Sequence, residues 1–100
     1  MSLIRVVRMT FHPEKAAAFL ENFETHKSLI RNFPGCHHLE LWQDQDKKNI
    51  FVTYSYWESE EALNQYRDSQ LFKSLWDFTK ALFSEKPQAW STKKLQEVQS

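Results

Sequence analysis

The chain has little glycine, proline or cysteine: one Gly35, three prolines (Pro13, Pro34, Pro87) and one Cys36 in 100 residues. A single glycine cannot build the glycine-rich loops that cradle dinucleotides or nucleotide phosphates, so those cofactor signatures are excluded. A single cysteine cannot close an internal disulfide, which excludes a disulfide-stapled scaffold and fits a reducing compartment. The 13 basic and 13 acidic residues cancel. No excess of one sign exists to coat nucleic acid or an anionic membrane. No apolar run approaches the roughly 18 residues that a membrane-spanning helix needs. The start, MSLIRVVRMTF, lacks a charged-then-apolar leader, so a cytoplasmic location is expected. No spaced set of Cys and His builds a zinc site, and no cofactor is expected.

Aromatic residues are plentiful: four Trp, three Tyr and eight Phe. With 41% hydrophobic residues they exceed what a minimal core needs, so part of that surface is expected to meet a ligand or a second subunit. No linker, repeat or low-complexity tract interrupts the chain, and residues 1–100 are expected to form one domain.

Leu3, Arg5, Val7, Met9 and Phe11 alternate with Ile4, Val6, Arg8 and Thr10. Apolar side chains on both faces predict a strand covered on both sides. Pro13 suits the first turn of a helix. Phe19, Leu20, Phe23, Ile30 and Phe33 then follow helical spacing to about residue 32, where Pro34-Gly35 ends the run. Residues 36–43 and 50–57 read as strands joined by a polar hairpin loop. Ser59-Glu60-Glu61 is a helix-start signal for a short helix, because a capping hydroxyl and early acids suit the positive helix end. A second helical stretch carries Leu71, Phe72, Leu75, Trp76, Thr79, Leu82 and Phe83 up to Pro87. Residues 88–97 are expected to be a final strand. The order β-α-β-β-α-β predicts an α+β, ferredoxin-like sandwich with a four-stranded antiparallel sheet. Two helices cover only one sheet face. The other face holds Ile4, Val6, Trp42, Ile50, Val52, Tyr54 and Tyr56, so a homodimer joined through it is expected. Arg8 and Glu40 fall on that face and could pair there.

Three segments carry a family resemblance: Pro34-Gly35-Cys36-His37-His38-Leu39-Glu40-Leu41, Phe51-Val52-Thr53-Tyr54-Ser55-Tyr56-Trp57 with Glu58 to Leu63, and Ser69-Gln70-Leu71-Phe72. They resemble the turn into the second strand, the third strand with its acidic helix start, and the step into the next helix of the antibiotic biosynthesis monooxygenase family of dimeric α/β-barrel proteins. The resemblance implies a cofactor-independent monooxygenase that oxidises a small aromatic or quinol-like metabolite with O₂. A non-catalytic, ligand-binding or regulatory dimer of the same fold is the alternative. Members often place a histidine where this chain has Tyr66. The haem-degrading branch resembles a design whose Asn, Trp and axial His match Val7, Tyr66 and Trp76 here, so haem degradation is not expected without that donor.

By alternation, Val7, His37, Thr53 and Trp57 should look toward the helices, with Tyr66, Phe72 and Trp76 looking back. Such a set makes either a core or a slot for a flat aromatic substrate. In the slot reading, Trp57 and Trp76 are walls, Val7, Thr53 and Phe72 line it, and His37 or Tyr66 handles the proton. His12 reads as surface. His26 reads as an exposed or edge position that could border the slot, and Cys36 as a small buried residue.

Overall fold

A computed structural model describes residues 2–100. The first strand, β1, runs Leu3–Thr10, and a 3₁₀ turn at Pro13–Lys15 leads into helix α1, Ala16–Arg31. Strands β2 (Cys36–Gln43) and β3 (Ile50–Trp57) follow, then helices α2 (Glu60–Arg67) and α3 (Gln70–Lys80), and strand β4 (Gln88–Thr92). The sheet order is β2-β3-β1-β4, antiparallel throughout. This is the ferredoxin-like α+β arrangement that the β-α-β-β-α-β order predicts. The short helix expected after Ser59 is α2 and the second helical stretch is α3, which ends at Lys80, before Leu82 and Phe83; β4 stops at Thr92, short of residue 97. The segment beyond β4 is exposed and carries a Lys94–Glu97 ion pair at 2.7 Å.

Local chemistry explains the breaks. Pro13 lacks the N–H that a regular first turn uses, and the chain enters α1 through the 3₁₀ turn. Gly35 takes φ +89°, a conformation open to glycine and strained for other residues. A Cβ there would also lie 2.6 Å from the Cβ of Ala62 in α2. The lone glycine thus turns the chain and lets β2 pass close to α2. At α2, Ser59 Oγ accepts from the Ala62 N–H at 3.1 Å. At α3, Ser69 Oγ accepts from the Phe72 N–H at 3.1 Å while its hydroxyl donates to the Tyr66 carbonyl at 2.5 Å. One serine therefore ties the end of α2 to the start of α3.

Two apolar clusters form on the helix side of the sheet. One joins Met9, Phe11, Phe19, Phe51 and Leu82, with Phe11 stacked on Phe19 at 4.5 Å and on Phe83 at 5.3 Å. The other joins Cys36, Trp57, Ala62 and Leu63, flanked by Leu3, Phe33 and Tyr66.

The register assigns the opposite face to Val6, Val52, Tyr54, Tyr56 and Trp90. Ile4 and Ile50, also expected there, are already buried within the chain, whereas Trp42 and Trp90 are exposed. Glu40 accepts from Trp42 Nε1 at 2.7 Å and pairs with His38 at 2.5 Å; the His38 bond first, then the Trp42 bond, hold its carboxyl below the usual range. Arg8 is opposite Val52 and Gln88, and it forms no ion pair with Glu40.

Candidate functional site

Between the two clusters the helix side of the sheet is incompletely filled. Val7, Thr53, Ser55, Trp57 and Leu39 form the floor of a cavity of about 350 Å³. That volume lies at the small end of the range of roughly 300–1,000 Å³ for small-molecule sites. Tyr66 of α2, with Phe72 and Trp76 of α3, forms one wall. The other wall is α1, which presents Phe19, Asn22, Phe23, His26 and Ile30. These α1 positions repeat at three- and four-residue steps, as one helix face does.

The aromatic wall is ordered by contact. Trp57 stacks on Tyr66 at 4.9 Å and 26°, and Phe72 stacks on Trp76 at 5.7 Å and 12°. Tyr66 meets Phe72 edge-on at 5.2 Å, linking the two stacks. Trp57 is fixed further by its Nε1–H, which donates to Ser55 Oγ at 3.0 Å. Of the residues expected to line a slot, Val7, Thr53, Trp57, Tyr66, Phe72 and Trp76 all border this cavity.

His37 does not. A bulge between Cys36 and His38 sets Cys36 opposite Trp57 and His38 opposite Tyr56, which leaves His37 as the extra residue. Its side chain is 54% exposed and reaches Glu58 at 3.7 Å. The same bulge separates Cys36, on the helix side, from His38, on the open face. Burial pushes the Cys36 thiol pKa up, as suits a packing residue.

The cavity instead holds His26, read from the sequence as an edge position. Its Nδ1–H donates to the Asn22 carbonyl at 2.8 Å, one helical turn back. In the neutral ring that bond keeps the hydrogen on Nδ1, which makes Nε2 the acceptor. Tyr66 is the other titratable aromatic side chain that borders the cavity. Burial, aided by Cys36, pushes its phenol well above the ordinary tyrosine range, so it stays protonated and acts as a donor at neutral pH. Arg5 and Arg67 are the only Arg or Lys side chains that border the cavity among the described residues. Among those residues no three His, Cys, Asp or Glu side chains converge as metal ligands, and no helix is long and apolar enough to cross a membrane.

Comparison with known proteins follows the same lines. A family model described as antibiotic biosynthesis monooxygenase matches residues 2–75. Among solved structures, the chain is similar to a mutant of SnoaB, a cofactor-independent oxygenase of Streptomyces nogalater. The identity is 20%, with 99% of this chain and 98% of that one covered and a TM-score of 0.86. Rv0793 of Mycobacterium tuberculosis is 17% identical over 99% of this chain and 100% of its own, with a TM-score of 0.88. A conserved protein of Methanosarcina mazei Go1 is 18% identical over 94% and 93%, also at 0.88. At these identities the structural likeness speaks for the fold. No curated protein matches the chain.

Proposed function

The chain belongs to the antibiotic biosynthesis monooxygenase family, and from that premise we propose that it is a cofactor-independent monooxygenase of a flat phenolic or quinol-like substrate. The observation that carries the reading is the cavity itself, in which an aromatic wall that includes the Tyr66 phenol stands across from the α1 face that carries His26. The substrate ring lies along the Trp57–Tyr66 and Phe72–Trp76 stacks. His26 Nε2 takes the substrate's hydroxyl proton. Tyr66 Oη–H donates to the oxygen on which negative charge develops. The electron-rich anion reduces O₂, and a C–O bond forms at the ring carbon para to that oxygen. Loss of water then leaves a carbonyl: one oxygen atom of O₂ enters the product, the other leaves as water, and the two hydrogens of that water are the former hydroxyl and ring hydrogens. The apolar walls keep bulk water from the intermediate.

The open sheet face supports a twofold homodimer. Exposed Trp42 and Trp90 flank half-buried Val6, Val52, Tyr54 and Tyr56, an apolar face of the kind that partners cover.

Oxygen-electrode measurements on chelator-treated protein with naphthol and anthrone-type phenols test the activity. Enzyme-dependent uptake that falls at least about tenfold in His26→Gln and in Tyr66→Phe is expected. Saturable binding without uptake across the panel would favour a ligand-binding domain instead.

A further inference from the structure

Arg5 projects from β1 onto the helix side of the sheet, where its strand neighbours are Ser55 and Ser91. Its guanidinium donates from Nη1 to Ser91 Oγ at 2.9 Å. Arginine has five N–H donors, and that is the one bond from its side chain to another side chain or to the backbone among the described residues. Arg67, the last residue of α2, borders the same cavity beside Tyr66. Burial and, after it, the charge of Arg67 lower the pKa of Arg5. Two like charges thus border one cavity, Arg5 half-buried and Arg67 exposed, an unfavourable arrangement on its own. The chain does not neutralise it. None of its 13 acidic residues lines the cavity, and no ion pair involves Arg5 or Arg67 among the described residues.

We propose that Arg5 and Arg67 form an anion seat at one end of the aromatic cavity, and that the ligand is a planar phenolic carboxylate. The carboxylate meets the open donors of the two guanidiniums, and the ring extends along the Trp57–Tyr66 stack. Arginine suits this role because its planar fork matches a carboxylate's two oxygens. The absence of acidic side chains around the cavity means that no internal carboxylate competes for the seat. This assignment of substrate class rests on the aromatic-site reading above, but its test is binding and needs no turnover.

The probes are hydroxynaphthoate, the matching neutral hydroxynaphthamide, and naphthol, titrated by quenching of tryptophan fluorescence. Hydroxynaphthoate is expected to bind at least about tenfold more tightly than the amide, as a charge-assisted hydrogen bond implies. Arg5→Gln and Arg67→Gln should each remove about that tenfold for the carboxylate and leave the amide's affinity unchanged. Arg5→Lys should restore only part of it. Should Arg5→Gln fail to fold, the exposed Arg67→Gln decides alone. Equal affinity for acid and amide, equal weakening of both by the variants, or no binding of any probe would overturn the proposal. The two readings separate cleanly. Charge-selective binding without O₂ uptake refutes only the oxygenase, and uptake with naphthol without charge selectivity refutes only the anion seat.

Discussion

Replacing Gly35 by alanine probes the joint that places α2, and with it Tyr66, over the sheet. Two costs arise. At φ +89° an L-residue is strained by about 1–2 kcal/mol. The new Cβ would sit 2.6 Å from Ala62 Cβ, and relief of such overpacking costs about 1–3 kcal/mol. Reduced freedom of the unfolded chain offsets about 0.4–1 kcal/mol. The net loss is about 1–4.5 kcal/mol, which lowers the midpoint of thermal unfolding by at least about 4 °C in a chain of this size. Calorimetry or circular dichroism reads it directly. A double-mutant cycle isolates the clash. Ala62→Gly removes the opposing methyl at its own helix cost of about 1 kcal/mol, and the pair should show a favourable coupling of about 1–3 kcal/mol. A Gly35→Ala variant that melts within about 1 °C of the parent would refute the strain argument, and zero coupling would refute the clash.

Other perturbations have equally definite outcomes. Because burial raises the Tyr66 phenol in the folded state, its contribution to stability is present below the unfolded tyrosine value of about 10 and is lost as pH rises above it. Tyr66→Phe should flatten that alkaline loss in pH-dependent denaturation, whereas an unchanged slope would contradict the burial of the hydroxyl. Trp57→Phe deletes the Nε1–H bond to buried Ser55 and part of a side chain that is 1% exposed. A loss of about 1–3 kcal/mol in urea denaturation is expected, and a neutral result would mean that the tryptophan is not needed for packing. On the open face, Val6→Asp should convert a dimer to monomer by sedimentation, since its cross-strand neighbours are Tyr54 and Trp90. Val52→Asp is the weaker test because Arg8 lies opposite and can neutralise the new charge. A dimer unaffected by Val6→Asp would place the interface elsewhere.

Much of the fold was legible because the local signals agree. Alternation gave β1 and β3, Ser59 caps α2 as its position signals, and Pro34-Gly35 marks the turn into β2. The failures have physical causes. A bulge reverses side-chain alternation at one point, and nothing in Cys36-His37-His38 announces it, so His37 was expected inside and lies outside. The final strand was drawn too long, because Trp90 and Leu95 look alike in sequence although only Trp90 has a partner strand. His26 was legible in principle: Phe19, Asn22, Phe23, His26 and Ile30 share one helix face, but the polar members masked the stripe. Arg5 and Arg67 were not legible as a pair, because only the folded chain brings β1 and the end of α2 to one cavity.

The central claim is cofactor-free oxygen insertion in the cavity between α1 and the Trp57–Tyr66 stack. Turnover of an anthrone-type phenol by chelator-treated protein under isotopically labelled dioxygen, read by mass spectrometry, tests it most directly. The account predicts one labelled oxygen in each product carbonyl formed and one in water, with the rate collapsing in His26→Gln. Product oxygen derived from solvent, or labelled product formed equally fast by His26→Gln, would contradict it.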